Sequence, residues 1–419
     1  LMSNLPPEMR AENLQVYIGH EGTYTPAHKE MCGTSSQNIM VETSSNLKDG
    51  EPDGSSIWFM TESQDRQVVS EYFLSMLGHD VEIEKHFAQI VAWKKAPFPV
   101  FVVEQKVGDL VLVPPLAPHQ VWNRGNRTIK VAWNRTTVET LEFALRESLP
   151  MARMVCRDEQ YRVKATVYYS LVKYYGRLRD ADKIDEQNEY LRPMVHEKVW
   201  DSFRVQMLKE DFTRLAKLFA DIMVDEMFSP DLPKIKDLEY LPFEGNVTCS
   251  YCRCNIFNRF LTCKSCVEEL VNGDEDTYDV CMDCYAMGRS CACISKLSWV
   301  EQWRWSELTK KYDEYKDLVS FITQDPSNWL LPLADEREKR GKKTTAEVCQ
   351  EQLLRRPWND VKNQDAAAKS DIDSDQEDKV VKKRMDGKRR KPKTQEVLST
   401  KPCHICKKPD KPWKMADCT

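Results

Sequence analysis

With 419 residues the chain has room for about two to four domains and at least one sizeable core. Charged residues make up 30% and hydrophobic ones 41%. No apolar run reaches roughly eighteen residues, which excludes a helical membrane span and leaves a soluble protein without a membrane partner as the expectation. The opening Leu-Met-Ser shows no charged-then-apolar leader, so secretion is not expected, and the chain reads as a fragment of something larger.

Residues 14–40 read as strand, turn, strand, with LQVYIG as a short β-run before a turn at Gly22. A polar loop covers 43–55, and SIWFMT resumes the strand pattern. Apolar spacing through Val69, Phe73, Met76 and Leu77 predicts a helix over 63–77, and a second is expected over 82–95. FPVFVVEQ, DLVLVPP and TIKVAWN follow as strands. The last one alternates: Ile129, Val131 and Trp133 share one face, while Thr128, Lys130, Ala132 and Asn134 share the other. Apolar residues turned out to a packed layer and polar ones turned in suit a barrel around a polar site.

Residues 138–228 have helical periodicity and few breakers, a structural layer with no chemistry expected of it. A helical segment rich in Trp and Tyr is expected over 297–323. From 335 to 400 the composition turns charged and poor in aromatics, which predicts mostly disorder with a helix near 344–355. The formal net charge of −5 conceals two opposed blocks there: 371–378 carry five acids and no base, and 379–393 carry nine bases and one acid. That basic tract reads as a nuclear import signal or a nucleic-acid contact, and equally as a solvated linker.

Of fifteen cysteines, only Cys32 and Cys156 precede residue 249, and nine fall between 249 and 293. Clustered C-x2-C pairs in a large chain without a leader point to zinc and a reducing compartment, not to a disulfide scaffold. Four thiolates satisfy one Zn(II), so eight of the nine are enough for two sites. The expected division is a barrel over 1–137, helices over 138–240, a two-zinc finger over 245–296, a helical segment over 297–330, a linker over 335–400 and a truncated cysteine-rich finger over 401–419.

His28-Lys29-Glu30 and the distant His119 could present two imidazoles and one carboxylate to one face of a metal, the arrangement that holds Fe(II) for oxygen chemistry. A tripeptide of this kind is common by chance, and its surroundings decide. Those surroundings, VYIGHEGTYTPAHKE, Asn38 ten residues after His28, GDLVLVPPLAPH and Asn134, resemble a Jumonji C (JmjC) domain. The resemblance implies a double-stranded β-helix in a multidomain α+β protein. It also implies Fe(II) held by His28, Glu30 and His119, with 2-oxoglutarate and dioxygen filling the remaining positions.

The same resemblance gives Thr25 and Asn38 as cosubstrate contacts, with Asn134 closing the final strand of the pocket. The lysine that pairs with the distal carboxylate of 2-oxoglutarate in the family is replaced here by Ser56. A dicarboxylate buried without a cation is expensive to desolvate. Lys130, inward on the late strand, fills the gap if the register holds; a one-residue slip leaves it in solvent. Lys48 in the inserted loop is the weaker candidate. Tyr17 resembles a position lining the methylammonium pocket of histone demethylases, and reads equally as a barrel-core tyrosine. His20, His79 and His86 carry no supporting pattern and read as surface or turn residues. The segment that precedes this point in the family is absent from the chain.

YDVCMDCYAMGRS with its upstream C-x2-C pairs resembles a cross-braced ZZ-type zinc finger. By that resemblance Cys249, Cys252, Cys281 and Cys284 hold one zinc, and Cys263, Cys266, Cys291 and Cys293 the other. Cys254 is left over. Cys403, Cys406 and Cys418 resemble the opening of a 4CXXC-type finger. The leading expectation is an Fe(II)- and 2-oxoglutarate-dependent dioxygenase of the nucleus, acting on a histone tail or another chromatin protein, with histone lysine demethylation foremost. A JmjC protein hydroxylase, a non-catalytic JmjC scaffold and a cupin enzyme without keto-acid are the rivals.

Overall fold

The computed structural model describes residues 1–44, 53–83, 86–187, 199–269, 275–291, 297–323 and 325–355. Lys48, Cys293, the 379–393 tract and the cysteines beyond 400 lie outside them.

Eight strands build the first layer pair: β1 (Gln15–Gly19), β2 (Tyr24–His28), β3 (Ser35–Thr43), β4 (Ser55–Met60), β5 (Phe101–Gln105), β6 (Leu110–Val113), β7 (His119–Arg124) and β8 (Thr128–Arg135). They form two antiparallel sheets ordered β1-β8-β3-β6 and β2-β7-β4-β5. Apart from the neighbours β4 and β5, which pair with each other, consecutive strands alternate between sheets, the winding of a double-stranded β-helix. The period-2 pattern of the last strand does what its composition dictates. Thr128, Lys130, Ala132 and Asn134 are buried, while Ile129, Val131 and Trp133 are half-buried on the other face.

α1 (Arg66–Leu77) forms as expected, but the helix expected over 82–95 shrinks to α2 (Ile90–Lys94). Residues 86–88 are not helical, and β2 and β7 occupy their polar backbone groups. Ala27 N donates to His86 O at 3.2 Å, and the Gln120 side chain bonds both the N–H and C=O of Ala88.

A helical layer follows: α3 (Val138–Phe143), started by a Thr137–Thr140 capping box, then α4 (Leu149–Val155), α5 (Val163–Gln187) and α6 (Phe203–Asp225). Phe212, Leu215, Phe219 and Met223 on one face of α6 pack against Val167 and Leu171 of α5 in the largest core. Full burial of each such side chain is worth about 1.5–3 kcal/mol.

The cysteine-rich region is a four-stranded sheet, β11-β10-β12-β9, made of β9 (Glu239–Tyr240), β10 (Phe260–Glu269), β11 (Glu275–Cys281) and β12 (Leu297–Glu301). α7 (Met282–Ala286) and α8 (Trp305–Ile322) continue the chain. The helix expected over 297–323 therefore begins only at Trp305. Residues 297–300 pair with β10, which buries Trp299 and Val300.

The expectation of a disordered linker from 335 is also corrected. α9 (Leu333–Arg340) and α10 (Thr345–Leu354) are ordered by specific contacts. Arg340 pairs with Asp221 and Asp225 of α6, Thr344 and Glu347 form a capping box, and Ala346 and Cys349 enter the core of the cysteine-rich sheet. Charged composition hid α9, whose one buried residue is Leu333, while α10 is the helix expected near 344–355, burying Ala346, Glu347, Cys349 and Gln350.

Candidate metal and cosubstrate site

Antiparallel pairing of β2 with β7 sets His28 opposite His119, and their rings lie 4.2 Å apart between centroids. Glu30, two residues beyond the strand end, brings Oε1 to 3.5 Å from His119 Nε2. The three ligand atoms lie within 4.8 Å of one another. Both imidazoles are oriented the same way: Nδ1 of His28 meets Pro26 O at 2.8 Å, and Nδ1 of His119 meets Ala117 O at 3.0 Å. A carbonyl only accepts, so each Nδ1 carries the proton and each Nε2 carries the lone pair, the tautomer a metal takes. Burial pushes the His28 pKa down and so favours the neutral ring, although the nearby Glu30 carboxylate acts in the opposite direction. Asn134 donates Nδ2 to Glu30 Oε2 at 3.1 Å, leaving Oε1 on the histidine side.

These residues line a cavity of about 250 Å³, whose wall includes Tyr17, Thr25, Asn38, Lys130 and Asn134. Thus the structure brings every sequence-predicted residue of this site around one space. Tyr17 is at the rim, 40% exposed, and is not a core residue. Asn38 is buried, its side-chain oxygen accepting from Gln105 Nε2 at 3.2 Å.

Lys130 is 3% exposed. Its Nζ donates to Ser56 Oγ at 3.2 Å and to Asn123 Oδ1 at 3.0 Å, and it lies 5.8 Å from the Trp58 ring centre. Asn123 fits there because Gly19 has no side chain: a Cβ would meet Asn123 Nδ2 at 2.4 Å. No carboxylate pairs with Lys130 among the described residues, and burial alone pushes its pKa down to about 8. Two neutral hydrogen bonds, worth about 1 kcal/mol each, do not offset the several kcal/mol of burying an ammonium. An anionic ligand in the cavity would.

Among the wall residues not assigned to the site from sequence, two stand out. Trp58, stacked on His119 at 5.9 Å, was legible as the inward neighbour of Ser56 at period 2. Arg157 comes from the helical layer, where no chemistry was expected, and no local pattern announces it. His79 and His86, read as unrelated surface residues, stack at 3.7 Å.

Comparison with known proteins agrees with this geometry. Residues 15–135 match the family described as "JmjC domain, hydroxylase".

The chain carries a JmjC domain.

It is 30% identical over 341 residues to C-module-binding factor A of Dictyostelium discoideum, covering 78% of this chain and 32% of that relative. The chain thus spans about a third of the length of the curated relative it matches. JmjC domains are, as a family, Fe(II)- and 2-oxoglutarate-dependent oxygenases, and the donor set around this cavity suits both groups. The iron would be held by His28, Glu30 and His119, and the distal carboxylate by Lys130 with Thr25 and Asn38 nearby.

Beside the JmjC barrel, the cysteine-rich sheet gathers two further clusters. The sulfurs of Cys249, Cys252, Cys281 and Cys284, all buried, lie within 4.8 Å of one another, as do those of Cys263, Cys266 and Cys291. The first set has the cross-braced membership read from sequence, and the Cys293 of the second lies outside the described residues. Backbone N–H groups of Cys281 and Cys284 point at Cys249 Sγ (3.3 Å) and Cys281 Sγ (3.4 Å). Hydrogen bonds from Cys252, Cys281 and Cys284 hold the Cys249 thiol well below its usual range. A four-thiolate, closed environment fits structural zinc and leaves no open position for catalysis. Cys254 belongs to neither set; it is buried beside Cys252, with Sγ 3.9 Å from Arg157 O. No helix among the described residues is long and apolar enough to cross a membrane.

Proposed function

We propose that this chain is an Fe(II)- and 2-oxoglutarate-dependent dioxygenase acting on chromatin proteins in the nucleus, with N-methylated histone lysine as the leading substrate. One observation carries the catalytic part of the reading. An ammonium without a countercharge, Lys130, is buried in the same cavity as a correctly tautomerised His-Glu-His set. A scaffold that had lost its chemistry has no reason to retain so costly a cation.

When bound, iron and the keto-acid supply oxidation of a C–H bond by dioxygen, yielding succinate and carbon dioxide. The chain's own contributions are positional. His28 and His119 are locked by carbonyls, Glu30 by Asn134, and Lys130 fixes the far carboxylate so that the keto-acid end faces the ligands. Tyr17 at the rim offers an aromatic face to a polarised methylammonium group. Hydroxylation of such a methyl group gives a hemiaminal that releases formaldehyde and the amine.

The zinc clusters would deliver the site to its substrate, and the name of the similar relative speaks for a binding role alongside catalysis. The 379–393 tract could add nucleic-acid contact, which would show as salt-dependent binding. Ser56 in place of the family's lysine supports the scaffold alternative, and Lys130 beside it answers that objection.

The test is anaerobic titration of 2-oxoglutarate into Fe(II)-loaded protein, followed by aerobic assay of methylated histone peptides for succinate and formaldehyde. A charge-transfer band with both products supports the reading. A band with succinate alone leaves an oxygenase of another substrate, and no band with no succinate rejects catalysis.

A further inference from the structure

Arg157 stands in the cavity wall but belongs to a short strap, 153–159, that runs between the barrel and the first cysteine cluster. On the barrel side both of its terminal nitrogens donate to Lys29 O at 3.3 Å. Lys29 is the residue between the ligands His28 and Glu30. Arg157 also lies 3.8 Å from Glu82, whose carboxylate pairs with the buried Lys29 ammonium. One guanidinium thus holds both the backbone and, through Glu82, the side chain of the ligand tripeptide.

The other side of the strap is fastened to the zinc region at four points. Cys254 Sγ meets Arg157 O at 3.9 Å. The Glu159 carboxylate accepts from Asn255 N at 3.0 Å. Arg153 pairs with Asp283, between Cys281 and Cys284, at 3.4 Å. Arg289 donates to Arg153 O at 2.6 Å and Met154 O at 3.3 Å, and its Nη1 lies 3.7 Å from Cys284 Sγ. Arg289 therefore touches a cysteine of the first cluster and the strap at once.

We propose that Arg157 is a positioning residue for the iron site and that the Cys249–Cys252–Cys281–Cys284 cluster, acting through Arg289 and Arg153, holds it in register. The zinc region is then a structural part of the oxygenase site as well as a docking module. This rests on the iron reading above, and the experiment separates the two.

Arg289 is half-buried and is no member of the cysteine cluster, and zinc content and melting temperature show whether Arg289→Ala keeps the fold. In the whole chain, Fe(II) affinity and the position of the Fe(II)/2-oxoglutarate band are measured anaerobically, with zinc content and melting temperature alongside. Arg157→Ala weakens Fe(II) binding by about tenfold and shifts the band, and Arg157→Lys recovers part of it. Arg289→Ala weakens Fe(II) binding severalfold at unchanged zinc content and melting temperature. The double variant is no worse than Arg157→Ala, because both act through one contact. Additive losses, or an Arg289→Ala protein with wild-type iron affinity, overturn the inference while the oxygenase reading stands. A wild-type protein without any band defeats both.

Discussion

Lys130 Nζ lies 3.2 Å from Ser56 Oγ across the barrel interior, so under the proposed oxygenase reading the cation absent from β4 would come from β8 at the same spot. The two positions act as one site that needs a single positive charge. Lys130→Ala is expected to weaken 2-oxoglutarate binding by about a hundredfold, since it removes a buried charge-assisted contact to the far carboxylate. Ser56→Lys alone places two ammoniums together and destabilises the barrel. The exchange Ser56→Lys with Lys130→Ser is expected to restore most of the binding. Anaerobic cosubstrate titrations of the three variants check this, and an exchange variant as weak as Lys130→Ala contradicts it.

The same lysine makes the protein respond to pH in two opposite ways. Its pKa falls from 10.5 to about 8 on burial, equivalent to roughly 3 kcal/mol of strain on the charged form. Between those values the unfolded chain binds more protons than the native one. The cost is therefore fully present below about 8 and is relieved as pH rises toward 10.5, so the ligand-free barrel gains stability over that range. Cosubstrate needs the ammonium, so its affinity is level below pH 8 and falls by up to about tenfold per unit above it. Denaturation midpoints and titrations from pH 7 to about 9 read both trends. Lys130→Met should flatten both, and persistence of either in that variant assigns it to another group.

The barrel was legible where local pattern and global packing agree. The alternation of β8 alone turns Lys130 and Asn134 inward, and the pairing of β2 with β7 joins His28 to His119. Legibility failed where tertiary contacts outvote composition. Charged sequence around 335–343 gave no hint of α9, which Arg340 ties to α6, although the helix near 344–355 was legible, and helical spacing over 82–95 yielded only the short α2. Arg157 was invisible for a third reason. Its role depends on a fold that carries the start of the helical layer back against the ligand tripeptide, which no local window contains.

Asn134 was read from resemblance as a cosubstrate-pocket residue, yet its side chain holds Glu30 Oε2 at 3.1 Å. Asn13 fixes it in turn, accepting from Asn134 N at 2.9 Å and donating to Asn134 O at 2.7 Å. A partner that orients a ligand acts on the metal before the cosubstrate. Asn134→Ala is expected to cost about 10–100-fold in Fe(II) affinity, and Asn134→Asp more, because a second carboxylate would repel Glu30. Metal titration without cosubstrate measures this directly. If Fe(II) affinity holds while 2-oxoglutarate affinity drops, the residue contacts the cosubstrate instead.

The first cysteine cluster lies at the centre of its own core, with Tyr285, Trp299, Phe260 and the α10 residue Cys349 packed around it. That core is small, and four buried sulfurs crowded together hold it only if a cation is shared among them. The chain is expected to bind two zinc ions, one lost in Cys284→Ser and the other in Cys263→Ser. Cys284→Ser should be the more damaging, because the first set is fully buried and touches α10 and the 153–159 strap, whereas Cys266 of the second set is partly exposed. Elemental analysis counts the ions, and thermal unfolding with and without a strong chelator reads the coupling. Two separate transitions are expected in the Cys284→Ser protein, with the barrel melting after the cysteine-rich sheet has opened. Unchanged melting after complete removal of zinc would show that the sulfurs are held by packing alone.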